Sequence, residues 1–136
     1  METAEEFAGS AIDVTLVRGC VVVAMPPQLQ PDTLAALRER VLAAVQANRA
    51  ASVVVDCAML RIMDSVEFEE LREVLRTAAL LGASAMLAGL RPGVVAHLVN
   101  ADVDTEGLET ARNIEDALDR ALLRRRQQAG AGAARR

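Results

Sequence analysis

The sequence predicts an α/β fold: a mixed β-sheet of about five strands with about four helices packed on it. Three observations lead there. The chain opens on two short apolar runs separated by Arg18-Gly19, the pattern of a β-hairpin. From Pro31 onward, short β-branched runs alternate with segments of helical period, which implies parallel strands joined by right-handed crossovers. The length of 136 residues, 52% of them hydrophobic, is enough for one core and too little for two ordinary domains.

In the first strand Ile12, Val14 and Leu16 alternate with Asp13 and Thr15, and the second, Cys20 to Met25, is apolar throughout and belongs inside the sheet. Pro31-Asp32 opens a helix of about four turns, with Leu34, Leu37, Val41 and Val45 inward and Arg38, Glu39 and Arg40 facing away. The run Ser52-Val-Val-Val55, closed by Asp56, is the next strand. A second helix follows with Phe68, Leu71, Val74, Leu75, Ala78 and Leu81 on one stripe, ended by Gly82. Ala83 to Gly89 reads as a buried strand. Arg91-Pro92 starts a short helix with Val94, Val95, Leu98 and Val99 inward, and Leu108 to Ala111 is a weak edge strand. Asn113, with Asp116 three positions on, caps the last helix, whose stripe is Ile114, Ala117, Leu118, Ala121 and Leu122. Residues 1–10 and 127–136 lack an apolar face and are expected to be loose tails around a domain spanning 11–126.

Composition excludes several functions. Net charge is −4, with arginines spread along the chain, so the basic footprint of a nucleic-acid binder is missing. Without Trp or Tyr, and with Phe7 and Phe68 the sole aromatic residues, no stacking platform for bases can be built. The N-terminus is acidic where a signal peptide is basic, and no apolar run approaches the roughly 20 residues of a spanning helix. Cys20 and Cys57 sit in or beside apolar runs and read as buried small hydrophobes in a reducing cytoplasm.

The segment that carries chemistry is Val53-Val-Val-Asp56 followed by a loop and then Met63-Asp-Ser-Val-Glu67. It places Asp-Ser at a helix start, where free N–H groups and the positive end of the dipole favour a capping side chain or a phosphate. Asp64 with Glu67 also makes a capping-box pair, and on the dipeptide alone a helix cap is the commoner meaning.

The ordered region resembles a STAS domain, the fold of anti-sigma factor antagonists, and is similar above all to the single-domain scaffold of the bacterial stressosome. The resemblance rests on the Val-Val-Val-Asp strand, Ile62-Met-Asp-Ser65, Leu81-Gly-Ala-Ser84, Gly89-Leu-Arg-Pro-Gly-Val-Val-Ala-His-Leu-Val99 and Glu109-Thr-Ala-Arg-Asn-Ile-Glu-Asp-Ala-Leu118. It implies a non-enzymatic protein, without cofactor or metal, whose Ser65 is phosphorylated by a serine/threonine kinase and cleared by a phosphatase. Partner binding would involve Met63, Asp64, Ser65, Val66 and Glu67, and the partners would be a switch kinase or anti-sigma factor and STAS paralogues in a homo- or hetero-oligomer. Thr105 is a weaker phosphorylation candidate and otherwise a turn residue. The chain departs from the family in its acidic Glu67, Glu69 and Glu70, where relatives tend to have small or apolar residues. An alternative implied by the same fold is a subunit docking on the ATPase of a membrane transporter.

Other residues invite chemistry without supporting it. His97 is the single histidine, so neither a triad nor a zinc site can be completed with a second imidazole. Gly82, Gly89 and Gly93 form no phosphate-cradling motif. Glu67, Glu69, Glu70 and Glu73 fan over a solvated helix face, and Arg124-Arg-Arg126 complements the negative end of the last helix.

Overall fold

The computed structural model describes residues 12–134. Nine elements follow one another: β1 (Asp13–Val17), β2 (Cys20–Ala24), α1 (Pro31–Asn48), β3 (Ser52–Asp56), α2 (Ser65–Leu80), β4 (Ser84–Ala88), α3 (Pro92–Asn100), β5 (Glu109–Ala111) and α4 (Ile114–Ala134). The sheet order is β1-β2-β3-β4-β5, with β1 antiparallel to β2 and every later pairing parallel. The hairpin turn puts Arg18 at φ 53° and Gly19 at φ 78°, the positive values that a tight two-residue connection requires.

Alternation along the strands sorts side chains to two faces. Val21, Val23, Val53, Val55 and Leu87 pack against Leu37 and Val41 of α1, Phe68 and Leu71 of α2 and Leu98 of α3. On the other face Cys20, Val54, Met86, Ala88 and Ala111 meet α4 through Ala117, with Ile114 and Leu118 at the margin. Both faces of β3 are therefore covered, which is why Val53, Val54 and Val55 are all fully buried in an uninterrupted apolar run. Across the sheet, the Ser52 and Ser84 hydroxyls bond each other at 3.0 Å, so burial leaves neither unsatisfied.

Several expectations need adjusting. α1 has 18 residues, five turns rather than four. Arg40 does not simply face away: its guanidinium donates to the Ile12 carbonyl at 2.7 Å and ties α1 to the start of β1. Leu81 is the C-cap of α2, past the last helical turn, and is exposed instead of continuing the stripe. On α3 only Val94 and Leu98 are buried. Val95 and Val99, one position on from each, are exposed because a nine-residue helix at the sheet margin has a narrow inward stripe. The N-terminal stretch 1–10 lies outside the described residues, and α4 runs on past Gln127 with residues 127–130 exposed.

Candidate functional site

The loop from β3 to α2 leaves the sheet at the C-terminal ends of the parallel strands and is pinned at several points. Cys57 N–H donates to the Ala88 carbonyl at 2.8 Å, Arg61 N–H to Pro27 at 2.8 Å, and Ala58 N–H to the Asp56 carboxylate at 3.0 Å. The Arg91 guanidinium, from the start of α3, donates to the Ala58 carbonyl at 2.9 Å. Leu60 and Met63 are fully buried anchors. A loop held by both backbone bonds and apolar anchors presents its remaining side chains at fixed positions: Met59 and Ile62 are exposed on it, as is Val66 in the first turn of α2.

At the helix start, Asp64 is the N-cap, in extended backbone conformation. Its Oδ1 accepts from Glu67 N–H at 2.8 Å, and the Glu67 Oε1 accepts from Asp64 N–H at 2.9 Å. This reciprocal capping box satisfies two of the four N–H groups that a helix start leaves without an intrahelical acceptor. The other two belong to Ser65 and Val66. Ser65 is half-buried at the first helical position, and its hydroxyl makes no hydrogen bond among the described residues. The serine is thus spared structural duty by its neighbour, while the dipole end and two open amides lie at its own position.

The acidic face of α2 is largely engaged. Glu73 pairs with Arg76 at 3.2 Å, and Glu69 lies 3.7 Å from Arg72. Arg72 is nearly buried and reaches across to the α3–β5 loop, donating to the Glu106 carbonyl at 3.0 Å and pairing with Asp104 at 3.2 Å. Among the described residues no cluster of His, Cys, Asp or Glu is arranged to hold a metal ion.

Of the sequence-predicted site residues, Asp64, Ser65, Val66 and Glu67 are brought together on one surface. Met63 is not: its side chain points into the core, as the position before an N-cap often does to fix the chain's entry angle. Thr105 is exposed on the α3–β5 loop, its carbonyl accepting from Leu108 N–H at 3.2 Å beside an Asp104 side chain that bonds Glu106 N–H. Sequence reasoning missed Met59 and Ile62, exposed apolar residues on the loop that leads to Ser65, and the Arg91 latch. The exposed apolar pair could have been suspected from the loop composition, but the latch joins residues 33 positions apart and has no local signal.

The STAS domain family model matches residues 11–119. The chain belongs to this family. Among solved structures, the STAS domain is similar to a serine-to-glutamate variant of RsbS from Moorella thermoacetica, at 27% identity and a TM-score of 0.74 over 86% of this chain and 99% of that one. It is also similar to a chain in the molecular architecture of the stressosome, described as a signal integration and transduction hub, at 27% identity and a TM-score of 0.69, covering 84% and 99%. The Bacillus cell fate determinant SpoIIAA in its phosphorylated form shares the fold at 15% identity and a TM-score of 0.61, covering 80% and 97%. No curated protein matches the sequence. The family and the stressosome likenesses support a regulatory role for this STAS domain. No helix among the described residues is long and apolar enough to cross a membrane.

Proposed function

We propose that this STAS domain is a non-enzymatic regulatory protein of the stressosome or anti-sigma-factor-antagonist kind, switched by phosphorylation of Ser65. The surface around Ser65 binds a serine/threonine kinase or anti-sigma factor, a phosphatase reverses the modification, and paralogous STAS domains assemble with it. The observation that carries this reading is the unbonded Ser65 hydroxyl at the first position of α2, beside a cap made by Asp64 instead. The relatives support it: one is a stressosome component and another exists in a phosphorylated form.

The physical effect follows from charge. A phosphate on Ser65 brings about one and a half to two negative charges to a surface that already holds the Asp64 and Glu67 carboxylates. The open amides of Ser65 and Val66 and the helix dipole stabilise it in part. The net result is a strongly negative patch beside the exposed Val66 and the loop that carries the exposed Met59 and Ile62, which repels a partner that docked on an apolar surface. Thr105 is a secondary acceptor on the far loop.

The test is phosphopeptide mapping of the protein isolated from its own cells before and after stress, with Ser65 and Thr105 quantified separately. Occupancy at Ser65 that changes with stress is the expected result. A Ser65 that stays unmodified, or a Ser65→Asp protein that holds its kinase as tightly as the unmodified chain, overturns the switch and turns attention to constitutive docking on a transporter ATPase.

A further inference from the structure

A groove of about 560 Å3 opens between α3, β5 and α4, within the roughly 300–1,000 Å3 range of small-molecule sites. Its floor includes Phe68 and Leu98, exposed by only 1% and 4%, while Val95 and Val99 on its wall are exposed by 41% and 66%. Two exposed valines one helical turn apart, facing a concavity floored by core side chains, form apolar surface left in water.

The charge of the groove runs against that of the molecule. In a chain of net charge −4, the charged residues lining it are Arg112 and Arg120, and no acidic residue among those described joins them. Arg120 is engaged, donating to the Thr110 carbonyl at 2.8 Å and to Asp116 at 3.1 Å with Glu109 at 3.7 Å, so the groove's unpaired positive charge is that of Arg112. Arg112 is exposed and forms no hydrogen bond or ion pair among the described residues.

The same contacts decide against a peptide strand as the occupant. β5 is an edge strand whose Ala111 carbonyl turns toward β4, accepting from Gly89 N–H at 3.1 Å. The adjacent Thr110 carbonyl therefore turns outward, where the Arg120 guanidinium already covers it. A three-residue edge with its outward acceptor occupied is blocked for strand addition.

We propose that this groove binds a small amphipathic anion, an apolar chain ending in a carboxylate, with the chain laid along Val95, Val99 and Leu98 and the carboxylate on Arg112. The site is separate from the Ser65 surface. Phe68 in its floor stands three positions after Ser65 on α2, so an occupant bears on the helix that carries the serine.

The test uses the full chain, isotopically labelled, titrated with decanoate and with decanol while amide resonances are followed by NMR. Decanoate is expected to shift residues 94–112 saturably at millimolar concentration or below, and Arg112→Gln, a change at an exposed side chain that leaves the fold intact, to weaken binding about tenfold, with decanol binding as weakly. Absence of a saturable decanoate shift overturns the proposal. So does decanol binding as tightly as decanoate with Arg112→Gln unaffected, which marks indiscriminate apolar adsorption, and so does a groove that responds only to an acidic amphipathic peptide, which marks a protein interface.

Discussion

Asp64 holds two positions in the site's physics, as helix cap and as neighbour of Ser65, and substitutions can separate them. Asp64→Ala removes the oxygen that accepts from Glu67 N–H at 2.8 Å and leaves that amide to water. Loss of an N-cap acceptor costs about 1 kcal/mol, which for a domain of this size lowers Tm by roughly 4 °C. The Glu67 carboxylate keeps its bond to the residue-64 N–H at 2.9 Å, so the second half of the box survives and the cost does not double. Asp64→Ser restores an acceptor of equal capping strength and is expected to recover most of the loss, within a few tenths of a kcal/mol. The assay is urea unfolding followed by circular dichroism, where the midpoint moves and the slope stays constant. Equal destabilisation by the Ser and Ala variants would refute the capping account, since it would mean that the carboxylate charge and not the hydrogen bond matters. Measured on the same proteins, kinase binding then reports the second role: a stable Asp64→Ser variant that loses its partner makes Asp64 a recognition residue.

Other consequences are as specific. Arg124 donates two hydrogen bonds to Glu109, at 2.9 and 2.7 Å, and this pairing holds the Glu109 carboxyl below its usual pKa of 4.5. A carboxylate with a lowered folded-state pKa stabilises fully above the unfolded value and loses that contribution as pH falls through the folded one, so the wild type should lose stability below about pH 4.5 more steeply than Glu109→Gln in parallel urea titrations. Gly19→Ala should destabilise by about 1–2 kcal/mol, because φ is +78° there and an L side chain is strained in that conformation, the Arg125 guanidinium beside it being the end of a flexible side chain that can swing aside, whereas Gly93→Ala, in the first turn of α3 with open space around it, should stabilise by about 0.5 kcal/mol in thermal melts. Burial pushes the Cys57 thiol up to about 12 and the Cys20 thiol to about 11, so neither should be alkylated by iodoacetamide at pH 8 until denaturant unfolds the chain; rapid labelling of the native protein would contradict their placement.

The elements were legible because each rests on a local pattern. Leu34, Leu37, Val41 and Val45 recur at helical spacing and are all buried; Arg18-Gly19 permits positive φ and makes the turn; Asn113 caps α4 by accepting from Asp116 N–H at 2.8 Å. The capping box was also visible, since Asp64 and Glu67 interact across three positions of one helix start. The misjudged residues are those where neighbours distant in sequence decide. Val95 and Val99 share the hydropathy of Val94 and Leu98, yet α3 touches the core along one narrow line and leaves the first pair in water. Met63 stands next to Asp64 in the chain but turns into the core, while Ile62 turns out.

By itself the sequence determined the order and type of the elements, the motif at the start of α2 and the acidic character of the chain, because hydrophobic period, turn chemistry and capping act within a few residues. The tertiary structure alone decided that α4 covers the face opposite the other three helices, that Arg72 ties α2 to the loop carrying Thr105, that Ser65 keeps an unbonded hydroxyl, and that two arginines line an apolar groove in a negatively charged molecule. Those facts depend on which surfaces meet once the sheet has formed, and burial and pairing between distant residues leave no mark at local spacing.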